Sequence, residues 1–161
     1  SLGLSTSPCW LQQTHGNRII DIAGSCIKHE GDGSYTCLRR RICAVLTADC
    51  LPLLMCDARG TEISALHVGW RGYSKNIISN AVSRFSAPAR DLLAWMGPCI
   101  SAENYEVGSE VHAACTRVTG DPAIGFAPAR NNHWLADLTA LARFQLRACG
   151  QVGRNRSIVG L

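Results

Sequence analysis

The sequence predicts a single domain of the α/β to α+β class, in which a mixed β-sheet is layered with helices. Three observations support this prediction. Continuous apolar runs such as 51–56 have the length of strands covered on both faces. Residues 62–68 alternate in character as a strand does. Apolar residues between Arg71 and Phe85 recur at three- and four-residue steps, which is typical of a helix with one buried side.

The amino-terminal half is expected to supply most of the strands. Residues 10–14 and 18–22 are predicted to form a hairpin around Gly16, because Ile19, Ile20 and Ile22 favour extended structure. The glycine-rich stretch 30–34 is predicted to be a loop. The remaining strands are then expected at 42–46, 51–56 and 62–68.

The carboxy-terminal half is expected to alternate between helices and loops. One helix is predicted from Arg71 to Phe85, a second from about Ser109 to Val118, and a third after Asp137, which suits the N-cap position. Gly150 is expected to end the third helix. A strand at 91–96 and a loop at 121–132 complete the prediction.

Composition narrows the class of protein. The chain has 161 residues with a net charge of only +4, so one domain is expected and no basic face for nucleic acid is evident. Its nine cysteines are odd in number and lack CxxC spacing, which favours a reducing cytoplasm. No signal peptide and no apolar run of membrane-spanning length is visible. We expect a cytoplasmic protein, a monomer, that binds neither nucleic acid nor a membrane.

Three metal-capable side chains stand where predicted strands meet turns. They are His15 in Gln-Thr-His-Gly, Cys50 in Thr-Ala-Asp-Cys-Leu-Pro, and His67 in His-Val-Gly-Trp-Arg-Gly. A thiolate with two imidazoles suits zinc and leaves a fourth position for water, as hydrolytic deamination requires, although copper also accepts such ligands. The spacing alone matches no short metal motif, and each residue also has an ordinary structural interpretation in a core or a turn.

Cys50 and His67 also permit catalysis without a metal. His67 would then lower the pKa of the Cys50 thiol, and the thiolate would attack an acyl or amide carbon. Arg71, at the start of the predicted helix, is a candidate anion contact together with backbone amides, with a structural salt bridge as its alternative role. Asp32 and Asp49 are candidates to orient the imidazoles, although loop capping is also expected of Asp32.

Taken in order, these motifs resemble the YfiH-like family, formerly labelled polyphenol oxidase or laccase-domain proteins. The three motifs above are followed by Gly97-Pro98-Cys99-Ile100 and Tyr105-Glu106-Val107-Gly108, so the resemblance extends from about Trp10 to Gly150. It implies a zinc-dependent enzyme that phosphorolyses adenosine, inosine, guanosine or methylthioadenosine and deaminates adenosine. Purine nucleoside and phosphate would be its substrates, and His15, Cys50 and His67 its zinc ligands.

The resemblance leaves other functions open. The fold is likened to a deamidating toxin with a Cys-His pair, which supports a metal-free Cys-His hydrolase or amidase, including a role in cell-wall peptide editing. The older label implies a copper polyphenol oxidase, and a non-catalytic binding protein is a further alternative. Family members usually carry an amino-terminal Thr-Arg-x-Gly-Gly segment associated with phosphate and a Ser-Tyr-Arg-Arg-like ending. Neither is present in residues 1–161, so a catalytic domain lacking both terminal segments is expected.

Overall fold

A five-stranded sheet forms the centre of the fold and brings the three motif segments to one edge. The computed structural model describes residues 6–23 and 29–150. The strands are β1 Ile19–Asp21, β2 Gly33–Thr36, β3 Leu51–Asp57, β4 Ile63–Val68 and β5 Leu92–Met96. They lie in the order β1-β2-β4-β3-β5; β1 and β2 are parallel, and the other pairs are antiparallel.

Within the described residues, a smaller sheet and four α-helices complete the domain. The second sheet contains β6 Glu106–Val107, β7 Phe126–Pro128 and β8 Trp134–Ala136 in the antiparallel order β6-β8-β7. The helices are α1 Trp70–Ser74, α2 Ile77–Val82, α3 Ser109–Thr119 and α4 Leu138–Ala148. This architecture confirms the predicted mixed sheet layered with helices. In the described ranges, no helix is long and apolar enough to cross a bilayer.

The main core lies on one face of the five-stranded sheet. Alternate residues of β3 and β4, such as Leu53, Leu66 and Val68, are fully buried there. They join one apolar cluster with Ile77 and Ile78 of α2. Burying each such side chain contributes about 1.5–3 kcal/mol to stability. His67 lies on the opposite face from Leu66 and Val68, as the alternation in its segment predicts.

Several elements agree with the sequence prediction. Strands β3, β4 and β5 and helix α3 occupy the expected segments to within one residue at each end. Helix α4 is capped as expected, because the Asp137 side chain accepts a hydrogen bond from the amide of Ala140 at 2.9 Å. Gly150 follows α4 in a left-handed conformation that favours glycine, with φ of 87°.

The predicted hairpin around Gly16 is wrong. Residue Gln12 makes only an isolated bridge, to Glu30, whereas β1 pairs with β2 in parallel. The intervening turn contains His15 with φ of 57°. A parallel pairing with a later strand leaves no local signal in the sequence. The isoleucines favour extended structure, but they do not specify which strand pairs with this one.

The segment 42–46 and two of the predicted loops also differ from the prediction. Residues 42–46 form no strand but run as an irregular segment in which Cys43 bridges Cys9 and Leu46 is exposed. The predicted loop 30–34 includes the start of β2, and the predicted loop 121–132 includes β7. Glycine and proline mark these stretches as breaks, but strand pairing here depends on neighbours distant in sequence.

The single helix predicted from Arg71 to Phe85 is two helices. Asn76 separates α1 from α2 with φ of 63°, a left-handed conformation that asparagine tolerates. Gln145 of α4 stabilises the break, since its side chain donates to Asn76 Oδ1 at 3.0 Å and accepts from the Ile78 amide at 3.2 Å. The apolar spacing continues through the break, which is why the sequence alone suggests one helix.

Candidate metal site

The fold brings together the three side chains singled out in the sequence. The ligand atoms of His15, Cys50 and His67 all lie within 4.8 Å of one another. The rings of His15 and His67 meet edge to face, with centroids 4.7 Å apart. His67 is buried, Cys50 is half-buried and His15 is exposed, so the group opens to solvent on one side. Within the described part of the chain, no other set of three such residues converges in this way.

Strand register explains why Cys50 and His67 meet. In the β3–β4 pair, Pro52 lies opposite His67 and Leu51 opposite Val68. Continuing that register by one residue places Cys50 opposite Gly69, at the end of β4. The antiparallel pairing of β3 and β4 therefore explains why Cys50 and His67 meet across neighbouring strands, as predicted.

The carboxylate of Asp32 holds the His15 turn. It accepts hydrogen bonds from the backbone amides of Thr14, His15 and Gly16 at 3.1, 2.9 and 2.6 Å. Asp32 is itself fully buried, just before β2. The left-handed backbone at His15 is uncommon for a residue other than glycine, and such strain persists where the surrounding structure enforces it.

The same carboxylate orients His67. Asp32 Oδ1 lies 2.8 Å from His67 Nδ1, and the His67 amide donates to the Asp32 carbonyl at 2.7 Å. The Nδ1 nitrogen is thereby engaged, which leaves Nε2 as the nitrogen available to a ligand. Burial acts to raise the pKa of Asp32, but the hydrogen bonds from His67 and the turn amides outweigh it and hold the pKa below its ordinary value. Asp32 therefore performs both of the roles suggested for it.

Cys50 lies in surroundings that oppose a free thiolate. Burial raises the pKa of the Cys50 thiol, and the nearby carboxylates of Asp49 and Asp32 raise it further. These surroundings favour the protonated thiol, and a positive partner such as a metal ion would offset them. Asp49 is exposed, and in the described part of the chain its side chain makes no hydrogen bond to either imidazole ring.

Neighbouring atoms approach the backbone so closely at Gly69 and Gly72 of the Gly-Trp-Arg-Gly motif that a side chain would not fit there. A Cβ atom at Gly69 would lie 2.8 Å from Cys50 Sγ, and one at Gly72 would lie 2.7 Å from the Gly16 carbonyl oxygen. Real Cβ atoms essentially never approach that closely. Gly69 thus makes room for the sulfur, and Gly72 allows α1 to pack against the turn that contains His15.

The Gly-Pro-Cys-Ile motif runs beside the Cys50 segment. The Gly97 amide donates to the Pro52 carbonyl at 2.9 Å, and the Ile100 amide donates to the Asp49 carbonyl at 3.0 Å. Along the chain, Cys50 lies between the two acceptor residues and Cys99 lies between the two donor residues. A charge on Cys99 adds to the factors that raise the pKa of Cys50. The sequence offers no signal for this pairing beyond the motif itself.

Tyr105 is a neighbour of the site to which the sequence assigns no role. Burial raises its pKa to about 12; negative charge on Cys50 acts in the same direction, and the positive charge of Arg71 opposes it. The half-buried Tyr105 side chain therefore lies within electrostatic reach of both residues. The only signal in the sequence is its place in the Tyr-Glu-Val-Gly motif.

Arg71 is exposed on α1, and its guanidinium carbon lies 4.4 Å from the centroid of the Trp70 ring. Among the residues that the structure describes, Arg71 forms no ion pair, so the alternative role as a salt-bridge partner is wrong for this part of the chain. Helix α1 has only five residues, too few for a helix dipole to add much. The guanidinium supplies positive charge on the exposed side of α1.

The other histidines of the described ranges lie outside the site. His112 stacks on the Trp134 ring at 4.2 Å and its Nε2 lies 3.0 Å from the Pro122 carbonyl, so its role is structural. His133 is exposed and contacts the carbonyl of Asn131. His29 is exposed, and its carbonyl pairs with the amide of Gln12. These locations agree with the surface or structural roles predicted for them.

Comparisons with known proteins identify relatives over most of the chain. The sequence profile of the family described as "Multi-copper polyphenol oxidoreductase laccase" matches residues 1–159. Purine nucleoside phosphorylase YfiH from Shigella flexneri and that from Escherichia coli K12 are each 38% identical over 148 residues, 91% of this chain. A purine nucleoside phosphorylase from Pseudomonas aeruginosa is 36% identical over the same length. The match covers 60% of the Shigella and Escherichia proteins, so this chain spans about that share of their length.

Solved structures show the same fold. Neisseria meningitidis protein NMB0706 superposes with a TM-score of 0.83 at 35% identity, covering 89% of this chain and 60% of that one. A Bacillus licheniformis protein named YfiH superposes with a TM-score of 0.79 at 23% identity, which supports the fold alone. The expected resemblance to YfiH-like proteins is therefore confirmed.

Proposed function

Because this chain belongs to the family described as "Multi-copper polyphenol oxidoreductase laccase", which includes the YfiH purine nucleoside phosphorylases, we propose that it is a zinc-dependent purine nucleoside enzyme. The proposed reactions are phosphorolysis of adenosine, inosine, guanosine or methylthioadenosine and deamination of adenosine. Purine nucleoside and phosphate are the proposed substrates, and the reducing cytoplasm is the proposed location.

The observation that carries the proposal is the convergence of His15, Cys50 and His67. One sulfur and two imidazole nitrogens within 4.8 Å of one another fit zinc, whose bonds to such ligands are about 2.0–2.3 Å, after side-chain movements on the order of an ångström. Three protein ligands leave one position for water or substrate, as in catalytic zinc sites. Copper binds the same ligand types, so the metal itself requires measurement.

The chain's own residues position what the reaction needs. Asp32 fixes the tautomer and the direction of His67, and it holds the His15 turn in place. Bound zinc supplies Lewis acidity toward an oxygen atom of substrate or water. Arg71 is proposed to attract the phosphate, since its guanidinium has no carboxylate partner among the described residues.

A metal-free Cys-His hydrolase is the second candidate, because Cys50 and His67 are close enough to form a dyad. The electrostatics favour metal binding instead. A dyad needs an easily formed thiolate, whereas burial and the two carboxylates raise the pKa of Cys50. A metal ion supplies the positive charge that offsets these effects and deprotonates the thiol.

Copper oxidase chemistry has less support despite the family description. Multi-copper oxidation requires several copper sites, and residues 6–23 and 29–150 contain one group of three metal-capable side chains that meet. The relatives reported above bear the name of a phosphorylase rather than of an oxidase.

Metal analysis tests the site. We expect about one zinc per chain in purified protein, its loss in Cys50→Ser, and its retention in the matched variant Cys56→Ser, whose half-buried thiol lies in β3 outside the group. Hydrolase activity toward an amide in a metal-depleted protein, abolished by Cys50→Ser, would support the dyad instead. Polyphenol oxidation that copper alone restores to a metal-depleted protein would support the oxidase.

Product analysis tests the reaction. Incubation of the zinc-loaded chain with adenosine and phosphate should release adenine, and omission of phosphate should leave only inosine from deamination. Arg71→Gln should raise the KM for phosphate while the deamination rate stays the same. If the zinc-loaded chain binds adenosine but forms none of these products, a binding protein is the better account of the chain.

A further inference from the structure

A polar cleft lies between the start of β1 and helix α2. Its volume is about 490 Å³, within the range typical of small-molecule sites. The lining residues are Asn17, Arg18, Ile19, Asn80, Ser83 and Arg84. Two of them are arginines and none is acidic. The cleft contains none of the three candidate metal ligands, so it is a separate site.

The frame of the cleft is braced by hydrogen bonds between the loop and the helix. The Asn17 side chain donates to the Lys75 carbonyl at 2.6 Å, and the Asn80 side chain donates to the Asn17 carbonyl at 3.1 Å. The Ser83 hydroxyl donates to the Asn80 carbonyl at 2.9 Å. These bonds hold the walls of the cleft and use one of the two N–H groups of each amide. An anion in the cleft needs charged donors in addition to these.

The two arginines supply those donors. Arg18 and Arg84 are exposed, and neither guanidinium forms an ion pair or side-chain hydrogen bond with any residue that the structure describes. The backbone of Arg18 is fixed, since its carbonyl accepts from the amides of Asp32 and Gly33. Two uncompensated guanidinium groups on one cleft favour a dianionic oxyanion, and the planar fork suits phosphate.

The uncharged lining residues indicate which chemical groups the ligand carries besides phosphate. The amide oxygens of Asn17 and Asn80 accept no hydrogen bond from the described residues; the bonds that these two side chains make use their nitrogens. Free amide oxygens bind hydroxyl donors. The volume also exceeds what one phosphate group fills. We propose that this cleft binds a phosphomonoester bearing hydroxyl groups, of the sugar phosphate class.

Calorimetric titration of the full chain tests the inference with three probes: ribose 5-phosphate, inorganic phosphate and ribose. We expect ribose 5-phosphate to bind most tightly, phosphate more weakly, and ribose without detectable affinity. Arg18→Gln and Arg84→Gln should each weaken the binding of ribose 5-phosphate about tenfold or more, because each removes a charge-assisted pair. The matched variant Arg130→Gln removes an exposed arginine outside the cleft and should leave the affinity unchanged.

Several outcomes would overturn the inference. Equal weakening in Arg130→Gln would show non-specific attraction to a basic surface. Equal affinity for phosphate and ribose 5-phosphate would remove the sugar from the assignment. The proposed function is tested separately, because Arg18→Gln and Arg84→Gln should retain zinc, whereas Cys50→Ser should lose zinc and retain the binding of ribose 5-phosphate.

Discussion

Asp32 Oδ1 lies 2.8 Å from Nδ1 of His67, and the same carboxylate accepts the amides of the turn that contains His15. One buried side chain thus ties two candidate ligands together, although 17 and 35 residues separate it from them along the chain. Its removal should disturb metal binding and folding together.

Asp32→Asn is expected to weaken zinc binding about 10- to 100-fold, because an amide nitrogen replaces one of the two acceptor oxygens around His67 and the turn. The loss of stability should be about 1–3 kcal/mol, the cost of leaving buried donors unpaired. A competition titration with a chromophoric chelator and urea denaturation measure these effects. Asp21→Asn, at an exposed position of β1, is the control. Unchanged zinc affinity in Asp32→Asn would contradict the orienting role.

Gly69→Ala is expected to destabilise the metal-free protein by about 1–3 kcal/mol, because its Cβ would crowd Cys50 Sγ. The cost should shrink by about 1 kcal/mol or more when Cys50→Ala is already present, since the sulfur is then gone. A double-mutant cycle by chemical denaturation measures the difference. Equal costs in the two backgrounds would show that the effect arises in the backbone at Gly69.

His15→Asn should remove a metal ligand while changing the stability of the metal-free protein by no more than about 0.5 kcal/mol, because asparagine tolerates the left-handed backbone at this position. His15→Val should cost about 1–3 kcal/mol, since a β-branched residue is strained there. Thermal or urea denaturation in the presence of a chelator separates the two. Equal stability of the two variants would mean that the turn relaxes when the imidazole is absent.

Stability should fall in acid as Asp57 becomes protonated. Burial acts to raise the pKa of this carboxyl, but hydrogen bonds from Thr61, Glu62 and Arg59 outweigh it and lower the pKa from 3.8 to about 2. A lowered pKa in the folded state adds stability above pH 3.8, and this contribution disappears as the pH falls toward 2.

Denaturation of Asp57→Asn across that range is the test. The variant should be less stable than the parent chain at neutral pH and should lose less stability between pH 4 and 2. The remaining slope is expected from Asp32 and Glu62, whose pKa values are also held low. Glu110→Gln, at an exposed position of α3, should keep the full slope. An unchanged slope in Asp57→Asn would refute the assignment.

Local patterns in the sequence account for much of the fold. The alternation at 62–68 predicts β4 and the face on which His67 lies, and Asp137 predicts the start of α4. Apolar spacing alone is insufficient at Asn76, where a left-handed residue held by Gln145 divides the helix. It is also insufficient at 42–46, an apolar segment that forms no strand and in which Cys43 makes an isolated bridge to Cys9.

Residue types and short motifs are enough to predict the ligands, one thiol and two imidazoles, and to indicate the family. The folded chain adds that these atoms meet, that Asp32 binds both the His15 turn and His67, and that Arg18 and Arg84 share a cleft. The two kinds of information differ because residue type and local propensity depend on neighbours along the chain. Strand register, left-handed turns and shared acceptors depend instead on segments that become neighbours only after folding.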